Sequence, residues 1–285
     1  MNFKRTFNKE RVKFYFGLLF ICSFIILNTS CGLDVYYFLV APVCNDVRTE
    51  NNDPALDYFI FKTAQSGNYS ADSSSAFTFS GTEIYYKIYT DSSSMIKRES
   101  TIDSYIDNAN SSSNSSSATA AMDQLESWGY QKLKFTNKVN TPDPLIVSNN
   151  STTDEYVYIR LVNSYAGEDY QACICVGSSA ITKCDTDTAF KDSSGNILAP
   201  LRIVEDSSAK EYKSFAFASD SSDSLKTPPA SSDVDVYYTS SSNDTWYVDL
   251  YAVSVGFDTA TYVPYYSQPA FLGYMAIPDG DYSDN

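Results

Sequence analysis

Hydrophobic and polar residues alternate with period two along most of this chain. Ile84, Tyr86 and Ile88 alternate with Glu83, Tyr85 and Lys87, and Val157, Ile159 and Leu161 alternate with Tyr156, Tyr158 and Arg160. Half-buried antiparallel strands show this pattern, with one face on a core and the other toward water. Further strands are predicted at Val35–Val40, Tyr58–Lys62, Ala76–Phe79, Ala172–Val176, Ile197–Val204, Ser214–Ala218, Val234–Thr239, Trp246–Val255 and Ala270–Ile277, separated by Ser, Asp, Asn, Gly and Pro clusters. Many short strands without regular βα alternation predict an all-β fold, an antiparallel β-sandwich.

One region departs from that period. Between Asp91 and Gly129 the apolar residues fall at helical spacing: Ile102, Tyr105 and Ile106, then Ala121, Leu125 and Trp128. They predict two short helices in an insertion over about 91–129. Asn110–Ser117 between them holds only Asn and Ser, too polar to offset its ordering entropy, and is expected to be disordered. Ser219–Asp233, with Pro228-Pro229, is expected to be a long surface loop.

The first residues follow a third pattern. Lys4, Arg5, Lys9, Arg11 and Lys13 precede an apolar run, Phe14–Leu27, interrupted only by Gly17, Cys22 and Ser23. This is the layout of an export signal, and the run is shorter than the roughly 20 apolar residues of a membrane span. Leu27-Asn28-Thr29-Ser30-Cys31 ends it as a relaxed lipobox, with small residues just before a cysteine whose thiol takes a diacylglyceryl group. Cys22 fits less well, because bulky Phe20 and Ile21 precede it. The expected organisation is a signal peptide over 1–30 and an ectodomain over 31–285. One β-domain with the helical insertion, or two modules meeting near Asn196, both satisfy the pattern.

Charge and composition narrow the chemistry. The net charge is −15, and removing residues 1–30 takes five basic residues and one acidic, leaving −19. A nucleic-acid partner is not expected. Attachment to a membrane should depend on the lipid rather than on a basic face. Histidine is absent, which excludes Ser-His-Asp, Cys-His and histidine-zinc sites. No cofactor or metal is expected. Of the six cysteines, Cys44, Cys173, Cys175 and Cys184 remain as disulfide candidates once Cys22 leaves with the signal and Cys31 is acylated. Cys173 and Cys175 share a strand face, and a turn at Gly177-Ser178-Ser179 would bring Cys184 back toward them. A staple from Cys184 to Cys175 or Cys173, with the other joined to Cys44, is the expected pairing. A thiolate metal site and free buried thiols remain open beside it.

Four segments carry a resemblance: Phe59-Ile60-Phe61-Lys62-Thr63, Gly81 to Tyr89, Trp246 to Gly256, and Phe271-Leu272-Gly273-Tyr274. In these the chain resembles acidic, Tyr-rich, β-rich spirochaete lipoproteins of the treponemal type. The same segments look like strands of immunoglobulin or fibronectin III sandwiches, in architecture only, because the Cys-Trp-Cys arrangement is missing. The resemblance implies a lipid-anchored protein of the cell envelope, at the outer surface or the periplasmic face, and supplies no catalytic residues.

The expected function is therefore non-enzymatic binding of a protein or matrix partner. Tyrosine gives large contact area at low entropic cost, and Tyr262, Tyr265 and Tyr266 form the candidate patch, joined by Tyr237 and Tyr238. A glycan module stacking sugars on Trp128 or Trp246 is the alternative. A two-carboxylate glycosidase would draw on pairs such as Glu205-Asp206 or Asp233/Asp235, which solvation equally explains. Asp185 and Asp187 have the spacing of calcium ligands without the rest of an EF-hand loop.

Overall fold

The computed structural model describes residues 38–54, 56–63, 69–70, 77–111, 119–135, 146–147, 156–162, 172–177, 189–191, 194–205, 211–218, 223–239 and 244–279. The chain divides at Tyr36/Tyr37, and the second unit, Tyr37–Asn285, carries every described element. In chain order these begin with β1 (Phe38–Leu39), β2 (Val43–Asp46), β3 (Phe59–Lys62), β4 (Tyr69–Ser70) and β5 (Phe77–Tyr89). Two helices follow, α1 (Ser92–Ser111) and α2 (Ala120–Ser127). Then come β6 (Gln131–Lys132), β7 (Lys134–Phe135), β8 (Ile146–Val147), β9 (Tyr156–Arg160), β10 (Cys173–Gly177) and β11 (Pro200–Glu205). The last are β12 (Glu211–Lys213), β13 (Val236–Tyr237), β14 (Thr245–Asp258), β15 (Pro264–Tyr266) and β16 (Ala270–Pro278).

The fold is mostly β and mostly antiparallel. Its centre is the long pairing of β5 with β14, from Tyr89↔Tyr247 to Phe77↔Asp258. β13 joins β5 in parallel, β15 and β16 extend the sheet beyond β14, and β6 and β8 pair with β5. A four-stranded sheet, β10-β9-β3-β2, and a three-stranded one, β12-β11-β7, complete the main framework. Strands from both sides of Asn196 share sheets, β5 with β14 and β7 with β11.

The core lies on the face of the large sheet that carries Ile84, Tyr86, Ile88, Val248, Leu250 and Ala252. These pack in one apolar cluster with Phe59, Phe61, Val157, Ile159 and Ile174 of the four-stranded sheet. Phe215 and Phe217 join the same cluster, although the predicted strand Ser214–Ala218 does not form. Their period-two spacing marked inward side chains correctly, but the backbone there makes no ladder.

The other face of the large sheet differs from expectation. Glu83, Tyr85, Lys87 and Tyr89 are buried too, beneath α1 and α2. The two helices of the insertion expected over about 91–129 thus form a third layer on this face. Asp91 starts α1, its carboxylate accepting from the Ser94 N–H at 2.7 Å and from the Thr239 hydroxyl at 2.8 Å. Met95, Ile102, Ala121, Met122 and Leu125 face the sheet. Each large apolar side chain buried there contributes about 1.5–3 kcal/mol. Asn110 and Ser111, the start of the Asn–Ser tract expected to be disordered, end α1, and the rest of the tract, 112–117, lies outside the described residues.

Candidate functional site

The helix-covered face of the large sheet concentrates the ionisable groups. α2 ends in a reciprocal turn, with Gly129 N–H donating to Glu126 O and Tyr130 N–H to Leu125 O. Gly129 takes the left-handed φ of +71° that this turn requires. The turn delivers Tyr130 onto β14, where its hydroxyl donates to Asp249 Oδ2 at 2.6 Å. Tyr89 Oη lies 2.6 Å from the Tyr130 oxygen and donates to it, because the Tyr130 proton is committed to Asp249. The Lys87 backbone N–H donates to Asp249 Oδ1 at 3.2 Å.

Asp249 is fully buried, and burial pushes its pKa up from 3.8 to about 7, against the lowering effect of these donors and of Arg98. The hydroxyls of Tyr89, Tyr130 and Tyr251 are pushed well up by burial and then by the Asp249 charge. Burial brings Lys87 down to about 8, and its ammonium donates to the carbonyls of Gly129 and Val234 at 3.0 and 3.1 Å. Further along β5, Glu83 accepts from Tyr85 Oη at 2.7 Å and pairs with Lys132 at 2.8 Å.

Arg98 of α1 closes this layer. Its guanidinium sits 3.9 Å from the ring centroid of Tyr237, 4.8 Å from Trp128 and 5.8 Å from Tyr89. Trp128 is therefore half-buried with its ring against a cation, and Trp246 is a core residue against Phe217. Tyr237 belongs to the same cage, while neighbouring Tyr238 is exposed.

Through the sheet, a second buried acid is neutralised differently. Arg202 Nη1 lies 3.2 Å from Asp235 and its Nη2 2.9 Å from Asp233. Tyr86 Oη donates to Asp235 Oδ2 at 3.1 Å and accepts from the Ile203 N–H. The Asp233/Asp235 pair is thus not a solvated pair: Asp235 is fully buried in a salt bridge. Burial raises its pKa to about 6 despite the Arg202 charge. Glu205 is exposed, and Asp206 lies outside the described residues.

The expected three-tyrosine patch resolves into one exposed ring. Tyr266 is half-buried with the Lys132 ammonium 5.8 Å from its ring, and its hydroxyl is pushed to about 12 by burial. Tyr265 packs edge-on against Phe77. Tyr262, in the β14–β15 turn, is 77% exposed and stacks on Phe257 at 6.0 Å. Its φ of 57° is left-handed, at a cost of about 1–2 kcal/mol for a residue with a side chain. The turn is held by Asp258, whose Oδ1 accepts from Ala260 N–H at 2.7 Å and Thr261 N–H at 3.1 Å. Tyr262→Asn, which tolerates that φ, should leave the unfolding free energy within about 1 kcal/mol of wild type in urea titrations. A larger loss would show that the ring holds the turn rather than being held by it.

The cysteines depart from the expected pairing in one half, the bridge to Cys44. Cys175 is disulfide-bonded, whereas Cys44 and Cys173 are free thiols. Cys44 and Cys173 sit on opposite edge strands of the β10-β9-β3-β2 sheet. Three strand spacings, roughly 14 Å, separate such edges, beyond the Cα separation a disulfide allows. Cys173 Sγ lies 3.8 Å from Cys175 Sγ, and burial raises its pKa to about 12. Cys31, Cys184, Asp185 and Asp187 lie outside the described residues. Among the described residues, no three Asp, Glu or Cys side chains converge as a metal site, and no helix is long and apolar enough to cross a membrane. No family model, no curated protein and no solved structure matches this chain.

Proposed function

We propose that this protein is an exported, lipid-anchored component of a bacterial cell envelope that acts by binding rather than by catalysis. The anchor half of the proposal is supported by the sequence from Lys4 to Cys31, with its basic start, short apolar run and small residues before the cysteine. The binding half is carried by one observation, the β14–β15 turn that holds Tyr262 outward at a backbone conformation unfavourable to tyrosine. Strain of that kind persists where the surrounding structure over-determines it, and it concentrates at functional positions. The perturbed acids support the same reading, because both oxygens of Asp249 and of Asp235 are engaged by protein partners that tie layers of the fold together. The immunoglobulin-like sandwich and the spirochaete origin belong to this proposal as well. The apolar cluster between the large sheet and the four-stranded sheet supports the first.

The test is metabolic labelling with a palmitate analogue on wild type and Cys31→Ala, followed by protease treatment of intact cells. Label should appear on wild type and vanish in the variant. Label absent from both overturns the anchor.

A further inference from the structure

The exposed turn and the start of the folded body lie at the same end of β14. Ser254 Oγ donates to the carbonyl of Val40 at 2.8 Å. Ser254 is four residues from Asp258, roughly 13 Å along the strand, whereas Thr245 at the other end is roughly 44 Å from it. Phe38 follows Cys31 by seven residues, which span at most about 25 Å whatever path they take. An acyl group on Cys31 would keep this end of the body within reach of the bilayer.

The chemistry of that end suits a lipid surface. Tyr262 is 77% exposed, Val263 47% and Val40 38%. Between Ser254 and Gln268 the only Asp, Glu, Lys or Arg is Asp258, in a chain of net charge −15. The Asp258 carboxylate is turned inward onto the amides of its own turn. A tyrosine presents an apolar ring and a hydroxyl together, which places it favourably at the boundary between headgroups and acyl chains. The strongly acidic remainder is repelled by anionic headgroups, so the orientation with this end down is the one electrostatics favours.

We infer that the Tyr262–Val263 turn, with Val40 toward the same end of β14, binds the surface of the membrane that anchors the chain and thereby orients the body. The inference rests on the lipid-anchor reading of Cys31. It makes the two signals cooperative: the acyl chains supply retention, and the turn supplies orientation.

The test uses the full acylated protein on vesicles of phosphatidylcholine whose acyl chains carry bromine near the headgroup. Tyr262→Trp reports on the turn and Val40→Trp on the flanking segment, with wild type as the blank for Trp128 and Trp246. Circular dichroism confirms that both variants fold. The emission added by each substitution should shift to the blue and be lost on brominated vesicles, while wild-type emission is unchanged. Added emission that stays unquenched and open to acrylamide, on protein that carries label and floats with vesicles, overturns the inference and leaves the anchor intact. Added emission shielded from acrylamide on intact cells, yet unquenched by brominated lipid, assigns the turn to a protein or glycan partner and overturns it equally. Wild type without label or flotation overturns the anchor itself, and the orientation falls with it.

Discussion

Replacing Gly273 with alanine should destabilise the protein by about 3 kcal/mol or more, from a left-handed backbone strained by a side chain together with overpacking. Gly273 has φ +100° in the bulge of β16, where the ladder to β14 shifts register between Leu250 and Tyr251. The backbone of Arg48 closes onto it, with Arg48 N–H donating to Leu272 O and Tyr274 N–H donating to Arg48 O, both at 3.1 Å. A Cβ at Gly273 would stand 2.2 Å from Arg48 N and 2.3 Å from Arg48 O. Backbone cannot swing aside as a side chain can, so the substitution must separate the segment after β2 from the edge of the large sheet. Gly195→Ala supplies the control: φ is +87° there, but nothing lies within 4 Å of the added carbon. Urea denaturation of the two variants should separate them by about 2 kcal/mol or more, the overpacking share of the effect. Equal losses would mean that backbone conformation alone sets the penalty and that the close approach contributes nothing.

Stability should also fall as pH rises from about 4 to 7, and Asp249→Asn should remove much of that fall. An acid whose folded pKa is raised binds its proton more tightly in the native state. Its stabilisation is complete below the ordinary value near 4 and is lost as pH climbs through the raised value. For Asp249 the rise from 3.8 to about 7 amounts to about 4 kcal/mol at 1.36 kcal/mol per unit. Asp235, raised to about 6, adds a smaller loss over pH 4 to 6. Lys87, lowered to about 8, acts above this window, where stability is regained as the buried ammonium loses its proton. Asparagine at 249 mimics the protonated acid: its oxygen accepts from the Lys87 N–H, and its amide faces a Tyr130 hydroxyl able to turn and accept. Unfolding free energies of wild type and Asp249→Asn at pH 4, 5.5 and 7 should therefore diverge with rising pH. Parallel curves would show that Asp249 stays ionised throughout and that its donors outweigh its burial.

The period-two pattern was sufficient to place β3, β5, β9, β10, β14 and β16, because side-chain alternation follows directly from the pleat of an extended chain. It could not tell whether the polar side of β5 met water. Glu83 and Lys87 look solvated beside Ile84 and Ile88, yet α1 and α2 cover them, and that cover depends on packing by residues outside the strand. The helices were legible from the spacing of Ile102, Tyr105 and Ile106, but the surface they would bury was not. Ser214–Ala218 shows the converse, since Phe215 and Phe217 point inward in a segment that pairs with no strand. Among site residues, Tyr262 was legible as an exposed tyrosine in a Pro-bounded turn. Tyr265 and Tyr266 were not separable from it, because only the positions of Phe77 and Lys132 decide their burial.

Taken alone, the amino-acid order determined most of the elements, by alternation for strands and helical spacing for α1 and α2, and its basic, apolar, small-residue succession ending at Cys31 is what the proposed export address rests on. Tertiary structure alone decided the state of the ionisable and reactive groups. Asp235 meets Arg202 across 33 residues, Asp249 meets Tyr130 across 119, and Tyr86 meets Asp235 across 149. Cys44 and Cys173, which spacing left free to pair, are held on opposite edges of one sheet. The division has one physical reason: backbone conformation responds to neighbours a few residues away, whereas desolvation and charge pairing depend on which distant segments the packed core brings together.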